Sequence, residues 1–380
     1  MKPIKVCHIV NLITGQADGV YTHIKSIFRN YDKTKFTHYL LFQGGEKVKR
    51  EIQALGVKVF ISPSLSKKLS LRTFADLCHL VKTNEIDILH AHMIKPYAIT
   101  GLANIFLRRK FIFNYHGLFL KSNVYYSATK KIIYRSIHLL ISLIRKVDIV
   151  LVPSERSKNL LLRETRYFLD PIVYYNGINI DKKHNELNPI VMSKLQEIRD
   201  NSTIIALIGR LEIDKRIDRA ILIIKELVKK QKKIHLIVFG DGSLKNKLQK
   251  IVDEFELKKN VILFGYVEDM KNYYQFFDIV LFTSDWEGMP LTIWEAMANE
   301  VPVIAPDVGG FKEILEKNNC GLIYEPGNIM DAESKLIQLL DDVQLRKSLG
   351  KNGSVAVETK YTEEIFIQQI EKVYEDLAKK

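Results

Sequence analysis

Apolar runs of strand length recur along the chain, separated by longer stretches in which apolar and polar residues alternate with helical spacing. The first half contains seven such runs: IKVCHIV, HYLLF, VKVFIS, IDILHAH, FIFNYH, DIVLVPS and PIVYYN. The second half contains six: TIIALIGR, KIHLIVFG, NVILFGYV, DIVLFTS, VPVIAP and GLIY. Runs that are apolar on both faces and alternate with helices indicate parallel sheets buried between helical layers. Because the series appears twice, the sequence predicts an α/β chain of two doubly wound, Rossmann-like domains.

The polar stretch NIDKKHNELNP at 179–189 is the natural linker between the two series. We therefore expect a first domain over 1–183 and a second domain over 184–358. The remaining segment, 359–380, predicts one amphipathic helix that packs back toward the first domain. The helical spacing places four residues near one face of this helix: Ile365, Gln369, Val373 and Leu377.

Composition and local patterns exclude several classes of protein. The chain has 380 residues and 47% hydrophobic content, enough for two cores. The longest apolar run, IHLLISLI at 137–144, is far shorter than the roughly 18 to 20 residues of a membrane helix. His8 and Asn11 interrupt the apolar N-terminus, which predicts a strand rather than a signal peptide. Three scattered cysteines among apolar neighbours argue against a disulfide framework or a zinc site and indicate core thiols of a cytoplasmic protein: Cys7, Cys78 and Cys320.

Polar and glycine residues cluster where the apolar runs end. In doubly wound sheets, ligands bind at the carboxyl ends of the strands. With two facing domains, all of these segments are expected to line one interdomain cleft. The segments are 11–19, 90–92, 116–117, 209–215, 240–242, 267, 284–291 and 306–310.

The stretch EGMPLTIWEAMA at 287–298 carries two carboxylates, Glu287 and Glu295, with seven residues between them. Glu287 lies in a loop after a strand, whereas Glu295 lies about one turn into a helix that starts near Pro290. The amides of such a helix start suit a phosphate, and a neighbouring carboxylate suits the two hydroxyls of a ribose. This pattern indicates a nucleotide pocket, although Glu295 as a solvated charge and Glu287 as a helix cap fit these two residues alone equally well.

A second cluster, IGRLEIDKRID, places Arg210 just past a strand and Lys215 five residues later. Arginine offers a rigid fork for phosphate oxygens and lysine offers a point charge, so the two can hold a diphosphate without a metal. Taken alone, the cluster is better explained as two solvated cations.

Several segments together resemble the retaining GT-B glycosyltransferases of family 4. They are GRL with the following lysine at 209–215, FGDG at 239–242, NVILFGYV at 260–267 and the long segment 284–314. YNGIN, LHAH and HG in the first half and the final helix extend the resemblance over essentially the whole chain.

The resemblance implies a role for each matching residue. Glu295 would bind the nucleotide ribose, Glu287 would contact the donor sugar, and Arg210 and Lys215 would neutralise the departing diphosphate. His116, at the end of FIFNYH, would face the anomeric carbon from the first domain. The other implied donor-binding residues are Gly19, Val267, Gly288, Met289, Pro290 and Leu291.

Three further positions bear on this assignment. We interpret His90 and His92 as alternating between faces, so that at most one lines the cleft, with His92 nearer to it. The family usually has two adjacent glycines where this chain has Asp18 and Gly19, so Asp18 is expected to cap a helix or to contact an acceptor hydroxyl. Arg216 stands where the family usually has glycine, and it either adds charge near the diphosphate or faces solvent.

Two common cofactor signatures are missing from the sequence. There is no Asp-x-Asp element of the kind that holds a divalent ion against a sugar diphosphate, so no metal is implied. The stretch GQADG has the wrong spacing for a dinucleotide fingerprint, so a nicotinamide cofactor is not expected. The nucleotide sugar is then a co-substrate, and no cofactor is expected.

Charge is distributed unevenly along the chain. Residues 1–185 carry a net +18 and the rest carries −5. Part of the excess falls on a polar and mostly basic stripe of the stretch 125–146, made of Lys131, Arg135, His138, Ser142 and Arg145, with more at 107–110, Lys67, Lys68 and Lys121. The stripe suits either the wet face of a core helix or contact with an anionic membrane surface, where each basic residue contributes about 1 kcal/mol. No nucleic-acid motif accompanies the charge, so nucleic acid is not expected as a partner.

These features predict a retaining glycosyltransferase that moves a sugar from a UDP- or GDP-linked donor to a glycan hydroxyl. The expected acceptor is a polyprenyl-diphosphate-linked intermediate of bacterial surface polysaccharide synthesis, at the cytoplasmic face of the membrane. Two alternatives remain open: a sugar-nucleotide epimerase on a related fold, and a non-catalytic glycan-binding protein.

Overall fold

The computed structural model describes residues 2–13, 19–65, 70–116, 129, 132, 136, 139–141, 147–165, 170–180, 187–199 and 202–379. The chain divides into two compact units. Unit 1 comprises Met1–Gly177 and Glu363–Lys380, and unit 2 comprises Ile178–Thr362. The boundaries expected from the sequence, 183/184 and 358/359, lie within six residues of these positions.

Every apolar run identified in the sequence forms a parallel strand, which confirms the predicted α/β class. The sheet of unit 1 has the order β3-β2-β1-β4-β5-β6-β7, and that of unit 2 has the order β10-β9-β8-β11-β12-β13. The strands of unit 1 are β1 (Ile4–Leu12), β2 (Phe36–Gln43), β3 (Lys58–Ile61), β4 (Ile88–His92), β5 (Lys110–Asn114), β6 (Ile149–Val152) and β7 (Ile172–Val173). Those of unit 2 are β8 (Thr203–Ile208), β9 (Ile234–Phe239), β10 (Val261–Gly265), β11 (Ile279–Leu281), β12 (Val303–Pro306) and β13 (Gly321–Tyr324).

Helices connect most successive strands, as parallel pairing requires. In unit 1 they are α1 (Gly19–Asn30), α2 (Glu46–Gln53), α3 (Leu71–Thr83), α4 (Ile94–Leu107) and α5 (Glu155–Thr165). In unit 2 they are α6 (Pro189–Arg199), α7 (Ile217–Lys229), α8 (Lys245–Glu254), α9 (Leu291–Ala298), α10 (Phe311–Lys317), α11 (Ile329–Asp341) and α12 (Val343–Lys360). Helix α13 (Glu363–Ala378) belongs to unit 1. Short 3-10 turns occupy Ile213–Lys215 and Met270–Phe276.

Helix α13 covers one face of the unit 1 sheet together with α1. Its buried side chains include Phe366, Ile370, Tyr374 and Leu377, which join a core cluster with Val6 of β1. Of the four residues expected near one face, Leu377 is buried, Val373 packs against this core, Ile365 is partly buried and Gln369 is exposed. The periodicity is right, but its phase is set by the aromatic residues.

The cysteines are free, and two of them, Cys7 and Cys320, are buried. Burial raises the pKa of the Cys320 thiol to about 12 and raises the pKa of Cys7 as well, because an apolar core disfavours a thiolate. Both are therefore core thiols that stay protonated at neutral pH.

Some of the positions singled out in the sequence lie outside the described residues. They include Asp18, Lys67, Lys68 and Lys121, and all five residues of the basic stripe from Lys131 to Arg145. Of the 107–110 segment, Arg108 is exposed, and Arg109 and Lys110 are partly exposed. Within the described part of the chain, no helix is both long enough and apolar enough to span a membrane.

Candidate active site

The loops that follow β8 and β9 lie backbone against backbone at the carboxyl edge of the unit 2 sheet. Gly209 donates its amide hydrogen to the carbonyl oxygen of Phe239 at 3.0 Å, and Leu211 donates to that of Asp241 at 2.9 Å. Gly240 has a φ of +133°, and a Cβ there would lie only 1.9 Å from the Gly209 carbonyl oxygen. Only glycine fits at position 240, so the backbone that leads to Arg210 is closely constrained.

Lys215 and Glu287 form an ion pair at this edge. Lys215 Nζ lies 2.6 Å from Glu287 Oε1, and the Ser284 hydroxyl donates to the same oxygen at 2.7 Å. The Glu287 residue is only 6% exposed. A carboxyl group this buried loses most of its hydration, and the ion pair with Lys215 and the hydrogen bond from Ser284 replace it.

The turn that carries Lys215 is also joined to the loop that carries Glu287 through the backbone. Asp285 donates its amide hydrogen to the Asp214 carbonyl oxygen at 2.9 Å, and the Thr283 hydroxyl donates to the Lys215 carbonyl oxygen at 2.9 Å. These bonds hold the segment after β8 against the segment after β11. The Lys215 and Glu287 pair therefore rests on a fixed backbone frame.

Arg210 stands apart from this pair. Its side chain is 56% exposed, and its nearest ion-pair contact is a long one of 3.8 Å from Nη2 to Asp214 Oδ2. The guanidinium therefore keeps most of its donors for a ligand. An exposed arginine at a strand end, on the same sheet edge as a lysine whose ammonium has three N–H donors, suits an anionic group with several oxygens.

Arg216 forms ion pairs with two carboxylates, and its side chain is 29% exposed. Its side chain pairs with Asp218, through Nη2 at 2.9 Å, and with Asp285, through Nη1 at 3.2 Å, and Arg219 also pairs with Asp285. Burial opposes ionisation of Asp218, but the hydrogen bonds and charge of Arg216 outweigh it and lower the pKa of that carboxyl. The backbone of Arg216 is left-handed, with a φ of 47°, which is the conformation that favours glycine.

The start of α9 is held by a second glycine loop. Gly310 donates its amide hydrogen to the Gly288 carbonyl oxygen at 3.0 Å, and Gly309 has a φ of +55°. A Cβ at Gly309 would lie 2.5 Å from the Glu287 carbonyl oxygen. The first hydrogen bond within α9 runs from the Ile293 amide to the Pro290 carbonyl oxygen, so the preceding amides have no partner inside the helix.

Glu295 lies in α9 in a different environment from Glu287. The Tyr274 hydroxyl, fully buried, donates to Glu295 Oε2 at 2.8 Å. Burial raises the pKa of Glu295, and the Tyr274 hydrogen bond opposes this shift only in part. The two glutamates thus have separate partners, Lys215 and Ser284 for one and Tyr274 for the other.

Val267 lines a cavity of about 350 Å³ beside the end of β10. Phe264 and Tyr266 contribute aromatic surface to it, and Glu268 and Asp269 contribute carboxylates. The cavity is large enough for a flat heterocycle, with aromatic walls and polar groups at its edge.

In unit 1, Gly19 is the first residue of α1, and His116 follows β5. His116 Nε2 lies 3.0 Å from His92 Nδ1. The interpretation that His90 and His92 alternate between faces was wrong, because residues two apart on a strand point the same way. Both are fully buried, with ring centroids 4.2 Å apart, and His90 Nδ1 lies 2.8 Å from the Tyr374 hydroxyl.

Further histidines and polar residues join this region that were not singled out in the sequence. His8 and His38 come from β1 and β2, and Asn114 from the end of β5. The sequence could have indicated these residues, because each is a polar residue within an apolar run and lies on the same sheet face as His90 and His92. Two groups of histidines bring one ring nitrogen of each member within 4.8 Å of the others: His8, His90 and His92, and His23, His92 and His116.

Solved structures share this architecture over the full chain. The Anabaena protein HepE in complex with UDP aligns with a TM-score of 0.80 at 20% identity, covering 98% of this chain and 100% of that chain. A whole-chain match of this quality, with two parallel α/β units, defines a GT-B fold. The prediction of that fold is confirmed.

Two family models match the chain. Residues 17–182 match Glycosyltransferase Family 4, and residues 192–355 match Glycosyl transferases group 1. Together the two matches take in most of both units, and the chain belongs to the group 1 glycosyltransferases of family 4. It is thus a nucleotide-sugar glycosyltransferase, and the family implies retention of the anomeric configuration.

Relatives with assigned names add context. A poly(ribitol-phosphate) alpha-N-acetylglucosaminyltransferase of Staphylococcus aureus is 32% identical over 167 residues, which span 44% of this chain but only 34% of that protein. The UDP-Gal:alpha-D-GlcNAc-diphosphoundecaprenol alpha-1,3-galactosyltransferase of Escherichia coli is 25% identical over 306 residues, which span 75% of this chain and 76% of that protein.

Proposed function

We propose that this protein transfers a sugar, with retention, from a UDP- or GDP-linked donor to a hydroxyl of a lipid-linked glycan in bacterial surface polysaccharide synthesis. The observation that carries the proposal is the Lys215 and Glu287 ion pair, with exposed Arg210 on the same sheet edge. UDP is supported by the HepE complex, and a polyprenyl-diphosphate acceptor by the name of the Escherichia coli relative.

The cations have the chemistry that the leaving group requires. One N–H of the Lys215 ammonium points to Glu287, and the others remain for phosphate oxygens. Arg210 adds a rigid guanidinium fork, and the ion pair with Glu287 holds the Lys215 charge in place before the sugar bond breaks. Such preorganised charge stabilises the transition state as negative charge builds on the diphosphate. Because two side chains supply this charge, transfer is expected to persist in EDTA.

The remaining contacts follow from the same placement. Glu287 holds the donor sugar and Glu295 holds the ribose. The backbone N–H groups of Gly288, Met289 and Leu291 face phosphate, and Pro290, which has no N–H, lies among them. Val267 lines the cavity that takes the base. In unit 1, Gly19 opens α1 toward phosphate and His116 contacts the sugar. The acceptor hydroxyl attacks an oxocarbenium-like centre from the side of the departing diphosphate, which takes its proton.

Product analysis tests the proposal. Purified protein is incubated with UDP- and GDP-sugars, with and without a polyprenyl-diphosphate-linked acceptor, and products are identified by mass spectrometry and by NMR of the new anomeric centre. We expect a sugar transferred with retained configuration only when the acceptor is present. Conversion of the donor to an epimer without acceptor would support the epimerase instead. Binding of glycan with no turnover of any donor would support a non-catalytic protein.

A further inference from the structure

Four imidazoles of unit 1, three of them fully buried, form a continuous hydrogen-bonded series, here called the histidine chain: His38, His8, His92 and His116. The successive nitrogen-to-nitrogen distances, His38 Nδ1 to His8 Nε2, His8 Nδ1 to His92 Nε2 and His92 Nδ1 to His116 Nε2, are each 3.0 Å. The ring centroids lie 5.1, 5.3 and 5.3 Å apart. These separations are those of rings joined edge to edge by one hydrogen bond.

The histidine chain crosses the sheet from β2 through β1 and β4 to His116, the second residue after β5. It runs under α1 and α13, where Phe28 and Tyr374 contact the His8 ring. The rings of His38, His8 and His92 are fully buried. Burial lowers the pKa of all four histidines far below the ordinary value, so the rings are neutral at physiological pH.

Because the rings are neutral, the hydrogen bonds of the histidine chain share one donor-to-acceptor direction. A neutral imidazole has one N–H donor and one acceptor nitrogen, so each ring that accepts from one neighbour must donate to the other. All three hydrogen bonds therefore point the same way, and fixing the proton on one ring fixes it on all of them.

Asn114 favours one of the two directions at His92, and the His8 acceptor adds to that preference. The Tyr174 hydroxyl donates to Asn114 Oδ1 at 2.6 Å, which turns the amide nitrogen toward the histidines. That nitrogen lies 3.1 Å from His23 Nε2 and 3.4 Å from His92 Nδ1. His23 Nδ1 is paired with Asn176 Oδ1 at 3.0 Å, where it donates, so His23 Nε2 is an acceptor as the amide requires. His92 Nδ1 faces the same amide at the longer distance, where a proton on Nδ1 would oppose the amide N–H groups, so Nδ1 is left as the acceptor of its shorter contact with His116.

An acceptor at His92 Nδ1 determines which nitrogen carries the proton on every other ring of the histidine chain. His116 donates from Nε2 to His92, His92 donates from Nε2 to His8, and His8 donates from Nε2 to His38. His38 Nε2 is buried and has no hydrogen-bond partner among the described residues. A buried unpaired group costs stability, so the fold retains this arrangement at a cost.

We propose that His92 and His8 are positioning residues, which hold His116 as the tautomer protonated on Nε2 and leave its Nδ1 as a hydrogen-bond acceptor. The functional consequence rests on the proposed function, in which His116 contacts the substrate. A bare Nδ1 accepts from a sugar hydroxyl or an amide N–H, and it does not bind a phosphate oxygen, which has no hydrogen to donate. His116 therefore selects the hydroxyl-bearing part of the substrate.

Long-range proton and nitrogen NMR of histidine-labelled protein tests the tautomer directly, without any substrate. We expect His116 with a protonated Nε2 and an unprotonated Nδ1 at pH 7.5, and the same state for His92 and His8. A protonated Nδ1 on His116 would overturn the proposal. If the tautomer is as expected but no donor is turned over, the proposed function fails while the histidine chain stands.

Two substitutions in the same core separate positioning from packing. His8→Phe removes the acceptor of the His92 N–H, whereas His90→Phe alters an equally buried ring that pairs with Tyr374 outside the histidine chain. We expect His8→Phe to give a mixture of His116 tautomers and to lower kcat/KM on the order of tenfold, the effect of one hydrogen bond. The NMR signals of His116 stay unchanged in His90→Phe. Equal tautomer shifts in both variants would overturn the role of the histidine chain.

A conservative variant and a metal titration complete the test. His8→Asn keeps an oxygen near the Nδ1 position, so it restores the His116 tautomer and most of the turnover even where His8→Phe folds poorly. The two histidine trios suggest a metal ion as the rival explanation. If the protein binds Zn²⁺ stoichiometrically and His92→Phe abolishes that binding, the histidine chain is a metal site and the proposal is overturned. If the protein binds no Zn²⁺, the neutral hydrogen-bonded series is supported.

Discussion

Lys215 Nζ lies 2.6 Å from Glu287 Oε1, although the two residues are 72 positions apart in the chain. The pair joins the loop after β8 to the loop after β11. Their side chains are 19% and 8% exposed, so the interaction is shielded from water far more than an ordinary surface ion pair.

Removing one member of this pair is expected to destabilise the protein strongly. Lys215→Met leaves a buried carboxylate without its cation, which costs about 3 to 5 kcal/mol, and the double variant Lys215→Met/Glu287→Gln recovers much of that loss. Urea unfolding of the two single variants and the double variant measures the coupling. Glu226 and Lys229 form an exposed pair at a similar distance, 2.7 Å, and serve as the control with an expected coupling below about 1 kcal/mol. Strictly additive losses at Lys215 and Glu287 would contradict this prediction.

Alanine at Arg210, Lys215 or Glu287 is expected to lower turnover by on the order of 100-fold, the usual effect of losing one preorganised transition-state contact. Arg210→Ala is the most informative of the three, because its exposed side chain contributes little to folding. Its thermal unfolding midpoint is expected to match that of Lys247→Ala, an exposed cation on α8 that serves as the control. Initial rates with saturating acceptor measure the effect. Near wild-type rates in all three variants would refute the site assignment.

Arg216 allows a test of backbone strain against ion pairing. Glycine and alanine at this position both remove the contacts with Asp218 and Asp285, but only glycine adopts a φ of 47° without strain. Arg216→Gly is therefore expected to be more stable than Arg216→Ala by about 1 kcal/mol. Chemical denaturation of the two variants measures the difference. Equal stabilities would mean that the backbone of this turn relaxes once the side chain is lost.

Acidification is expected to destabilise unit 1 through its buried histidines. Burial lowers the pKa of His23 to about 4 and that of His38 to about 3, and places the pKa of four others well below 6.5: His8, His90, His92 and His116. Above about pH 6.5 these rings are neutral in both states and add no pH dependence. Below it the unfolded chain binds protons that the folded unit does not, so stability falls by up to about 1.4 kcal/mol per histidine per pH unit.

The tryptophans make this loss assignable to one unit. Trp286 and Trp294 both belong to unit 2, so fluorescence follows that unit while circular dichroism follows the whole chain. Between pH 8 and pH 5 in urea, we expect an early dichroism transition to separate from the fluorescence transition. Coincident transitions with a constant midpoint over this range would refute the prediction.

Membrane association is tested by flotation of the protein with anionic and with neutral liposomes. The basic excess of residues 1–185 predicts binding to anionic vesicles at low salt and release at high salt, since exposed charges are screened. Charge reversal at Arg108 and Lys110 tests the described part of this surface. Equal recovery with both kinds of vesicle would argue strongly against a membrane role.

The strands could be predicted because buried parallel strands appear in the sequence as continuous apolar runs. The ends of these runs also located the strand ends. The pairing of Lys215 with Glu287 could not be predicted, since it depends on which loops meet across the sheet. The tight approach at Gly240 depends on the same tertiary geometry. The left-handed backbone at Arg216 could not be predicted, because an arginine in the sequence gives no indication of it. His90 and His92 were wrongly expected on opposite faces of their strand. The sequence alone could have corrected this, because residues two apart on a strand point to the same face.

Helix α13 has a consequence for how the protein is made and dissected. It follows all of unit 2 in the chain, yet its Tyr374 bonds to His90 and its apolar face completes the core of unit 1. A ribosome therefore finishes unit 2 before the other unit can close. A fragment ending at Gly177 would expose an unfilled apolar groove, so isolating unit 1 calls for 363–380 to be grafted onto it or added as a separate peptide.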